Sequence, residues 1–298
     1  MRDYIIIFII IFILLFVIYH YNKIESIINV IDPIYVFSFT TSPLRISNIK
    51  PFIDSLLNQS IPAFKIYVNL PYVFKRDNTT FTNIPDFISK NPKIVINWCD
   101  DIGPATKIIP SAKILANKYP NIRIISVDDD HYYSPILAQT FINVSNRYPK
   151  TVITGASFIL DTLRKDDLLI EDKNKNMYFA QLVEGFSGVL YYPNMFDQFN
   201  INSINYMPKF CYLADDIIIS NYLLSKGHPI LSIETRDLMK SLDYGLLSDA
   251  LHYLPKEEMH NFPGGGNLEN YKKSIKLLKD NKKLYFQYDS LPEYLIDF

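Results

Sequence analysis

The stretch IISVDDDHYY, residues 124–133, decides the expected fold of this chain. It opens with a short apolar run rich in β-branched residues, which is typical of a strand buried on both faces of a sheet. Three adjacent carboxylates, Asp128, Asp129 and Asp130, follow at the point where such a strand leaves the sheet. Open α/β sheets bind ligands in the crevice outside these strand ends. The stretch therefore predicts a ligand site as well as a sheet.

The three acids favour a metal ion at that site. Like charges side by side repel each other, and each is costly to bury without a partner. A hard divalent cation with oxygen ligands removes that cost and can bridge to phosphate oxygens. Mg²⁺ or Mn²⁺ suits such carboxylate ligation. The alternative is an acidic turn that is simply solvated.

Composition limits the class of protein. A chain of 298 residues predicts one large domain or two small ones. The apolar fraction of 48% and the aromatic fraction of 14% allow a sizeable core and exclude a disordered chain. A net charge of −1 gives no basis for a nucleic-acid partner, and two cysteines cannot build a disulfide framework or a zinc knuckle. The richness in Ile, Asn, Lys and Tyr is typical of an AT-rich genome.

Residues 4–19 form an unbroken apolar run, YIIIFIIIFILLFVIY. A membrane-spanning helix needs about 20 residues, with about 17 as the lower limit, and later isoleucines could extend this run. A cleaved signal peptide is the alternative, but no A-x-A-like cleavage site follows. Residues 1–30 are therefore expected to be a membrane anchor and stalk, spanning once. The flanking charges balance, so a lumenal or otherwise non-cytoplasmic domain is an expectation that they do not fix.

Strand-like and helix-like segments alternate from residue 34 onward. Strands are predicted at 34–40, 64–70, 94–98, 122–127, 151–156, 178–183, 188–192 and just after 228–230, and helices at 49–57, 106–118, 134–147, 213–224 and 271–278. Ser134-Pro135 is expected to start its helix as N-cap and N1. Such alternation predicts an α/β fold with a mostly parallel central sheet and helices on both faces. No glycine-rich phosphate loop occurs.

Two further sets of side chains belong to these predictions. Asp215 and Asp216 fall in the first turn of the helix at 213–224, where acids are also stabilised by the helix dipole alone. Strand alternation predicts that His131 points away from the face of Asp130.

Five short segments follow one another in a fixed order. They are Ser38-Phe39-Thr40-Thr41-Ser42-Pro43 with Arg45, Ser55-Leu56-Leu57-Asn58-Gln59-Ser60, Asp101-Ile102-Gly103-Pro104-Ala105-Thr106-Lys107, Asp128-Asp129-Asp130, and Asp215-Asp216. With this order and spacing, residues 34–230 resemble a glycosyltransferase of the GT-A fold and are similar to the family-2 type. The usual Glu-Asp pair of that family stands here as Asp215-Asp216.

The resemblance implies a division of labour along the chain. Residues 31–298 would form the glycosyltransferase domain, with a nucleotide-binding half at about 31–150 and an acceptor half at about 151–260. A loop and helix at 261–298 would follow. The implied reaction is hexosyltransferase-like: a sugar moves from a nucleotide-diphosphate sugar, with UDP favoured, to a hydroxyl on a glycan, protein or lipid.

The resemblance also implies roles for single residues. Asp130 and Asp128 would hold Mn²⁺ or Mg²⁺, and His252 would complete the metal site. Asp101 would accept a hydrogen bond from the base of the donor, and Lys107 would reach a phosphate. The other residues expected to bind the donor are Thr40, Thr41, Arg45, Asp128 and Asp129. The alternatives for Asp101 and Lys107 are a solvated turn and a surface lysine.

Asp216 is the expected general base, which takes the proton of the acceptor hydroxyl. A base opposite the leaving group implies inversion, and the charge of Asp215 would raise the pKa of Asp216. Two other functions stay open at this point. One is a metal-dependent phosphoesterase, and the other is a membrane-anchored protein that binds sugar nucleotides or glycans without turnover.

Overall fold

A computed structural model describes residues 13–17, 33–160, 169–170, 177–200, 208–242 and 268–281. The chain divides into two compact units, Met1–Pro33 and Ile34–Phe298. Residues 13–17 are helical, and within the described ranges no helix combines the length and the apolar character needed to cross a bilayer. Most of the anchor predicted over residues 1–30 lies outside the described residues, so the anchor stays a prediction.

The second unit contains strands and helices throughout its described part. The strands are β1 (Tyr35–Thr40), β2 (Ile66–Pro71), β3 (Ile94–Cys99), β4 (Arg123–Ser126), β5 (His131–Tyr133), β6 (Val152–Thr154), β7 (Ser157–Leu160), β8 (Leu169–Ile170), β9 (Met177–Ala180), β10 (Leu182–Val183), β11 (Val189–Tyr191), β12 (Ile230–Ile233) and β13 (Met239–Ser241). The α-helices are α1 (Lys50–Leu57), α2 (Asp86–Ser89), α3 (Ile109–Lys118), α4 (Leu137–Arg147), α5 (Lys209–Tyr212), α6 (Asp215–Ser225) and α7 (Leu268–Asp280). Short 3₁₀ turns lie at Ala105–Lys107, Gly185–Ser187, Pro193–Phe196 and Arg236–Leu238.

The central sheet has the strand order β3-β2-β1-β4-β11-β6-β12-β9 in the described part of the chain. The first four strands in this order are parallel, and so are β6 and β12. Strand β11 is antiparallel between β4 and β6, and β9 is antiparallel at the edge. The prediction of an α/β fold with a mostly parallel sheet is confirmed. The order runs outward from β1 to β3 on one side and continues with β4 on the other, so it reverses between β1 and β4.

Both faces of the sheet are covered. Tyr35, Phe37 and Phe39 of β1 point to one face and pack with α1 and α4, whereas Val36 points to the other face, with α3, α6 and α7. The ring of Phe39 meets that of Phe52 edge to face at 4.8 Å. Burial of such a side chain contributes about 1.5–3 kcal/mol. Because both faces are covered, most residues of the central strands are apolar, and the prediction of helices on both faces is confirmed.

Two predicted helices begin three residues later than expected. The helix expected from Ser134 begins at Leu137, and the N-cap prediction is wrong. The Ser134 N–H donates a hydrogen bond to the Leu238 carbonyl oxygen, and the Ser134 carbonyl oxygen accepts one from the Gln59 side chain. The amide oxygen of Gln59 accepts the Ala138 N–H at 3.0 Å. The side-chain amide of Gln59, two residues beyond the end of α1, therefore accepts a backbone N–H at this helix start.

The helix expected over 106–118 is interrupted. A 3₁₀ turn at Ala105–Lys107 comes first, and α3 begins only at Ile109. Pro110 has no N–H to donate and its ring would clash with the carbonyl four residues earlier, so one helix cannot run through this segment.

Two smaller sheets were not predicted. Strand β5 pairs with β13 in an antiparallel ribbon, which sets His131 opposite Ser241. Strands β10, β7 and β8 form a second antiparallel sheet. The ribbon holds the far side of the acidic turn, since the Leu242 N–H donates to the Asp130 carbonyl oxygen at 2.8 Å.

Candidate functional site

The acidic turn lies where the strand order reverses. Strand β4 ends at Ser126, and Asp128, Asp129 and Asp130 follow it directly. Thr40 ends the neighbouring strand β1, and its hydroxyl donates to a backbone carbonyl oxygen of β2 at 2.8 Å. The next residue, Thr41, donates to the Asp129 carboxylate at 2.5 Å and so links the two strand ends. The acids therefore lie at the carboxyl edge that the sequence predicted.

The three acids have different surroundings. Asp129 is 3% exposed, and its carboxylate lies 3.2 Å from the Arg45 guanidinium, so a solvated turn does not describe it. Burial raises the pKa of Asp129 to about 6, although Arg45 acts in the opposite direction. Asp128 is 31% exposed and lies 3.2 Å from the ammonium of Lys107. Asp130 lies 2.6 Å from the imidazole of His131.

The orientation of His131 corrects a prediction. Its Nδ1 atom lies 2.6 Å from Asp130 Oδ1, so the ring does not point away from that acid. Strand β4 has already ended at Ser126, and a turn at 129–130 separates it from β5, so strand alternation does not apply. Burial lowers the pKa of His131, but the hydrogen bond to Asp130 and its charge outweigh that effect and raise the pKa overall.

Lys107 is the centre of a buried charge cluster. Its ammonium lies 3.2 Å from Asp128 Oδ1 and 3.5 Å from Asp215 Oδ2, and the residue is 6% exposed. Burial alone would lower the pKa of Lys107, but the charges of Asp128, Asp215 and Asp216 outweigh it and hold the pKa well above its ordinary value. The surface-lysine alternative is wrong, because this ammonium is buried among carboxylates.

A polar network inside the sheet holds the backbone of Lys107. The Ser38 hydroxyl donates to the Lys107 carbonyl oxygen at 2.5 Å, and Asn69 Nδ2 donates to the same oxygen at 3.3 Å. Ser111 and Asn97 both donate to Asn69 Oδ1, at 2.9 and 2.7 Å. Polar side chains of β1, β2 and β3, with Ser111 of α3, thus fix the turn that carries the cation and bond to one another.

Asp215 and Asp216 both reach this cluster from the first turn of α6. Asp215 lies against Lys107, whereas Asp216 Oδ2 accepts hydrogen bonds from the Tyr271 hydroxyl at 2.8 Å and the Gly185 N–H at 3.4 Å. Burial is the largest cause of the raised pKa of both acids, to about 7 for Asp215, and Lys107 opposes it. The predicted cause, repulsion of Asp216 by Asp215, is not the main one.

Two neighbouring residues were missed by the sequence. Glu184 precedes the 3₁₀ turn at Gly185–Ser187, and burial, followed by the charge of Asp216, raises its pKa to about 8. Gly185 has no room for a side chain, since a Cβ atom there would lie 2.1 Å from Lys107 Nζ. The pattern Glu-Gly-Phe-Ser-Gly between two strands is the only signal for them in the sequence.

Asp101 accepts several hydrogen bonds at the ends of β2 and β3. It is 4% exposed, so the solvated-turn alternative is wrong here as well. Its Oδ1 accepts the Gly103 N–H and the Tyr212 hydroxyl, each at 2.7 Å, and its Oδ2 accepts the Lys75 N–H at 2.7 Å. A hydrogen bond to a nucleotide base would have to share these oxygens, and that role stays a prediction.

Asp128 and Asp130 offer the carboxylates for a metal ion. In the described ranges no three or more His, Cys, Asp or Glu side chains are grouped so as to hold a metal. Mg²⁺, however, usually takes only one or two protein carboxylates and completes its shell with water and substrate phosphates. Asp128, whose side chain is 31% exposed, and Asp130 are hard-oxygen donors of the kind that such an ion uses, and a metal bound by them stays a prediction. His252 lies outside the described residues, and its role stays a prediction.

The structure groups most of the predicted site residues. One cluster contains Lys107, Asp128, Asp215 and Asp216. Asp129, the next residue after Asp128, is contacted by Thr41 and Arg45. Asp101 lies in a separate network with Tyr212 and Lys75. Comparison with known proteins identifies no family for this chain, because no protein-family model and no curated protein matches it.

Proposed function

We propose that the chain is a metal-dependent glycosyltransferase of the GT-A type, which moves a sugar from a nucleotide-diphosphate sugar to a hydroxyl on a glycan, protein or lipid. One observation carries the proposal. Two sets of acids, Asp128 of the turn and Asp215 with Asp216 of α6, meet at a single buried lysine beside the point where the strand order reverses. Ligands of open α/β sheets bind at this point. A UDP-sugar is the favoured donor.

Asp128 and Asp130 would hold Mg²⁺ or Mn²⁺. The ion would neutralise the charge that develops on the departing diphosphate. Arg45 and Thr41 keep Asp129 in place and thereby fix the turn from which both ligands project. Asp129 is engaged by these contacts. In the proposal, the acids of the turn that face the donor are therefore Asp128 and Asp130.

Asp216 is the proposed general base. A carboxylate whose pKa is raised by burial takes up a proton more readily near neutral pH, as a base for an acceptor hydroxyl must. Its Oδ2 atom is held by Tyr271 and Gly185, so the proton would go to Oδ1. Attack on the face opposite the diphosphate gives inversion at the anomeric carbon.

Lys107 has a different role in this proposal from the phosphate contact expected from the sequence. Its ammonium is buried between Asp128 and Asp215 and has little access to a phosphate. We assign to it the compensation of the surrounding carboxylates, because its charge opposes the effect of burial on the pKa of Asp215 and Asp216.

Residues 1–30 would anchor this domain to a membrane, and the domain itself would lie outside the cytoplasm. The support is the apolar run at residues 4–19, which is near the lower length limit for a spanning helix.

The proposal is tested by nucleotide release from a panel of sugar nucleotides, with and without Mn²⁺. We expect release that depends on both Mn²⁺ and an acceptor, and a fall of about 10²–10⁴ in Asp216→Asn. Asp54→Asn is the matched control, because Asp54 is an exposed acid of α1 that pairs only with Lys50 in the described structure. Donor binding without turnover would instead support a non-catalytic binding protein, and hydrolysis of simple phosphoesters a phosphoesterase.

A further inference from the structure

Helix α7 brings a side chain into the site from the C-terminal part of the chain. One face of the helix is buried: Ile275 is fully buried in the core, and Asn270 and Ser274 are also buried. Asn270 and Ser274 are four residues apart, and so are Tyr271 and Ile275, which places these two adjacent pairs along one side of the helix. The packing of that side fixes the helix against the domain. Tyr271 therefore reaches Asp216 from a rigid element.

The contact holds one oxygen of the Asp216 carboxylate. The Tyr271 hydroxyl donates to Oδ2 at 2.8 Å, and the Gly185 N–H donates to the same oxygen at 3.4 Å. Within the described ranges Oδ1 accepts no hydrogen bond. A carboxylate held in this way has a fixed orientation and one oxygen left to take a proton.

We propose that Tyr271 is a positioning residue for Asp216, so that helix α7 is part of the functional site. The proposal rests on the function proposed above for Asp216. The hydroxyl of Tyr271 fixes Oδ2, directs Oδ1 toward the acceptor, and stabilises the ionised form of the base. Without this donor the carboxylate could turn and would protonate more easily.

The surrounding charges support this role. The charged or titratable groups that face Asp216 are Lys107, Asp128, Asp215, Glu184, Tyr191 and Tyr271. Burial, followed by the charges of Asp216 and Glu184, holds the pKa of Tyr271 well above its ordinary value. The phenol thus stays protonated and donates at every pH at which the enzyme would work. Its hydrogen bond lowers the pKa of Asp216 against the effect of burial.

The first test is the pH dependence of sugar transfer in Tyr271→Phe. The variant keeps the ring and its packing and removes only the donor. Because the ionised base loses a hydrogen bond, the acid limb of the profile should move to higher pH by about one to two units. The loss of rate should therefore be roughly ten-fold or more on the acid side and small at pH 9. An unmoved acid limb would overturn the proposal.

Tyr35→Phe is the matched control. The Tyr35 hydroxyl donates to the Ile61 carbonyl oxygen at 2.6 Å, at the opposite end of β1 from the site. Its loss also removes one hydrogen bond of a buried phenol, but no carboxylate is involved. We expect lower stability at every pH and an unchanged pH–rate profile. A shift of the acid limb in this control equal to that of Tyr271→Phe would overturn the assignment, because the shift would then report general loosening of the fold.

A second test does not depend on activity. Unfolding of the full chain is measured across pH for the parent, Tyr271→Phe, Asp216→Asn and the double variant. A coupling between the two substitutions that grows as pH rises through the titration of Asp216 supports the contact, and a coupling of zero at all pH values overturns it. If the coupling is present but no sugar nucleotide is turned over, the glycosyltransferase function fails while the positioning of Asp216 by Tyr271 stands.

Discussion

Replacing Asp215 with asparagine should stabilise the folded chain at pH 8. Burial raises the pKa of Asp215 from 3.8 to about 7, although Lys107 opposes that effect. Its Oδ2 atom is buried and faces Lys107 Nζ at 3.5 Å, which is long for a hydrogen bond. A group whose pKa is higher in the folded than in the unfolded chain contributes stability below its unfolded pKa. That contribution is lost as the pH rises through the folded pKa. The ionised Asp215 therefore costs stability above pH 7.

The size of the cost follows from the two pKa values. The difference between about 7 and 3.8 is about three units, and each unit corresponds to about 1.36 kcal/mol. The penalty at pH 8 is thus on the order of 4 kcal/mol, as an upper limit. Asparagine has nearly the same shape and carries no charge, and Asp128 and Asp216 remain as partners of Lys107. We expect Asp215→Asn to gain about 1–4 kcal/mol over the parent at pH 8 and almost nothing near pH 4.

The assay is urea unfolding of the full chain at several pH values between 4 and 8, followed by far-ultraviolet circular dichroism. Asp54→Asn is the control, since this exposed acid pairs with Lys50 on the surface of α1 and should change stability by less than about 0.5 kcal/mol. A clear loss of stability at pH 8 in Asp215→Asn would refute the reasoning. The ionised pair of Asp215 with Lys107 would then be net stabilising, and burial would not dominate the cluster.

Three other changes test separate parts of the site. Gly185→Ala should lower the free energy of unfolding in urea by about 1–3 kcal/mol, because the new Cβ would lie 2.1 Å from Lys107 Nζ and displace the ammonium from its carboxylates. An unchanged urea midpoint would show that the lysine moves freely. Asp130→Asn should abolish Mn²⁺-dependent turnover and lower the melting temperature of the metal-free protein only slightly, since the weaker contact with His131 is offset by less repulsion among three neighbouring acids. A large fall in melting temperature would mean a structural role. Deletion of residues 1–30 should give a folded, active protein that needs no detergent, and its aggregation beside an active, detergent-solubilised full chain would contradict the anchor.

Much of the sheet could be predicted from the sequence. Strands such as Tyr35–Thr40 and Ile94–Cys99 are largely buried or half-buried and appear in the sequence as mainly apolar segments with turn residues after them. The ribbon of His131–Tyr133 with Met239–Ser241 could not be predicted, because its partners are about a hundred residues apart and each is only three residues long. The orientation of His131 depends on that ribbon, which is why strand alternation gave the wrong side.

The site divides in the same way. Asp128 and Lys107 stand in local patterns next to a strand or a turn, and the sequence identified both as site residues. Asn69 has no such pattern, because an asparagine in the middle of a strand reveals nothing of the distant carbonyl oxygen that it binds. Tyr271 is one tyrosine among 22, and its contact with Asp216 depends on how α7 packs.

The distance along the chain between site residues sets the order in which the site can be made. The contact of Tyr271 with Asp216 joins residues 55 positions apart, and that of Tyr212 with Asp101 joins residues 111 positions apart. At about 5–20 residues per second, synthesis needs roughly ten to thirty seconds to proceed from Lys107 to Tyr271. Until then Asp216 lacks the hydroxyl of Tyr271, whereas the residues of β1 to β4 have already been made. We therefore expect ribosome-bound chains that have not yet exposed residue 271 to contain a sheet but no working site.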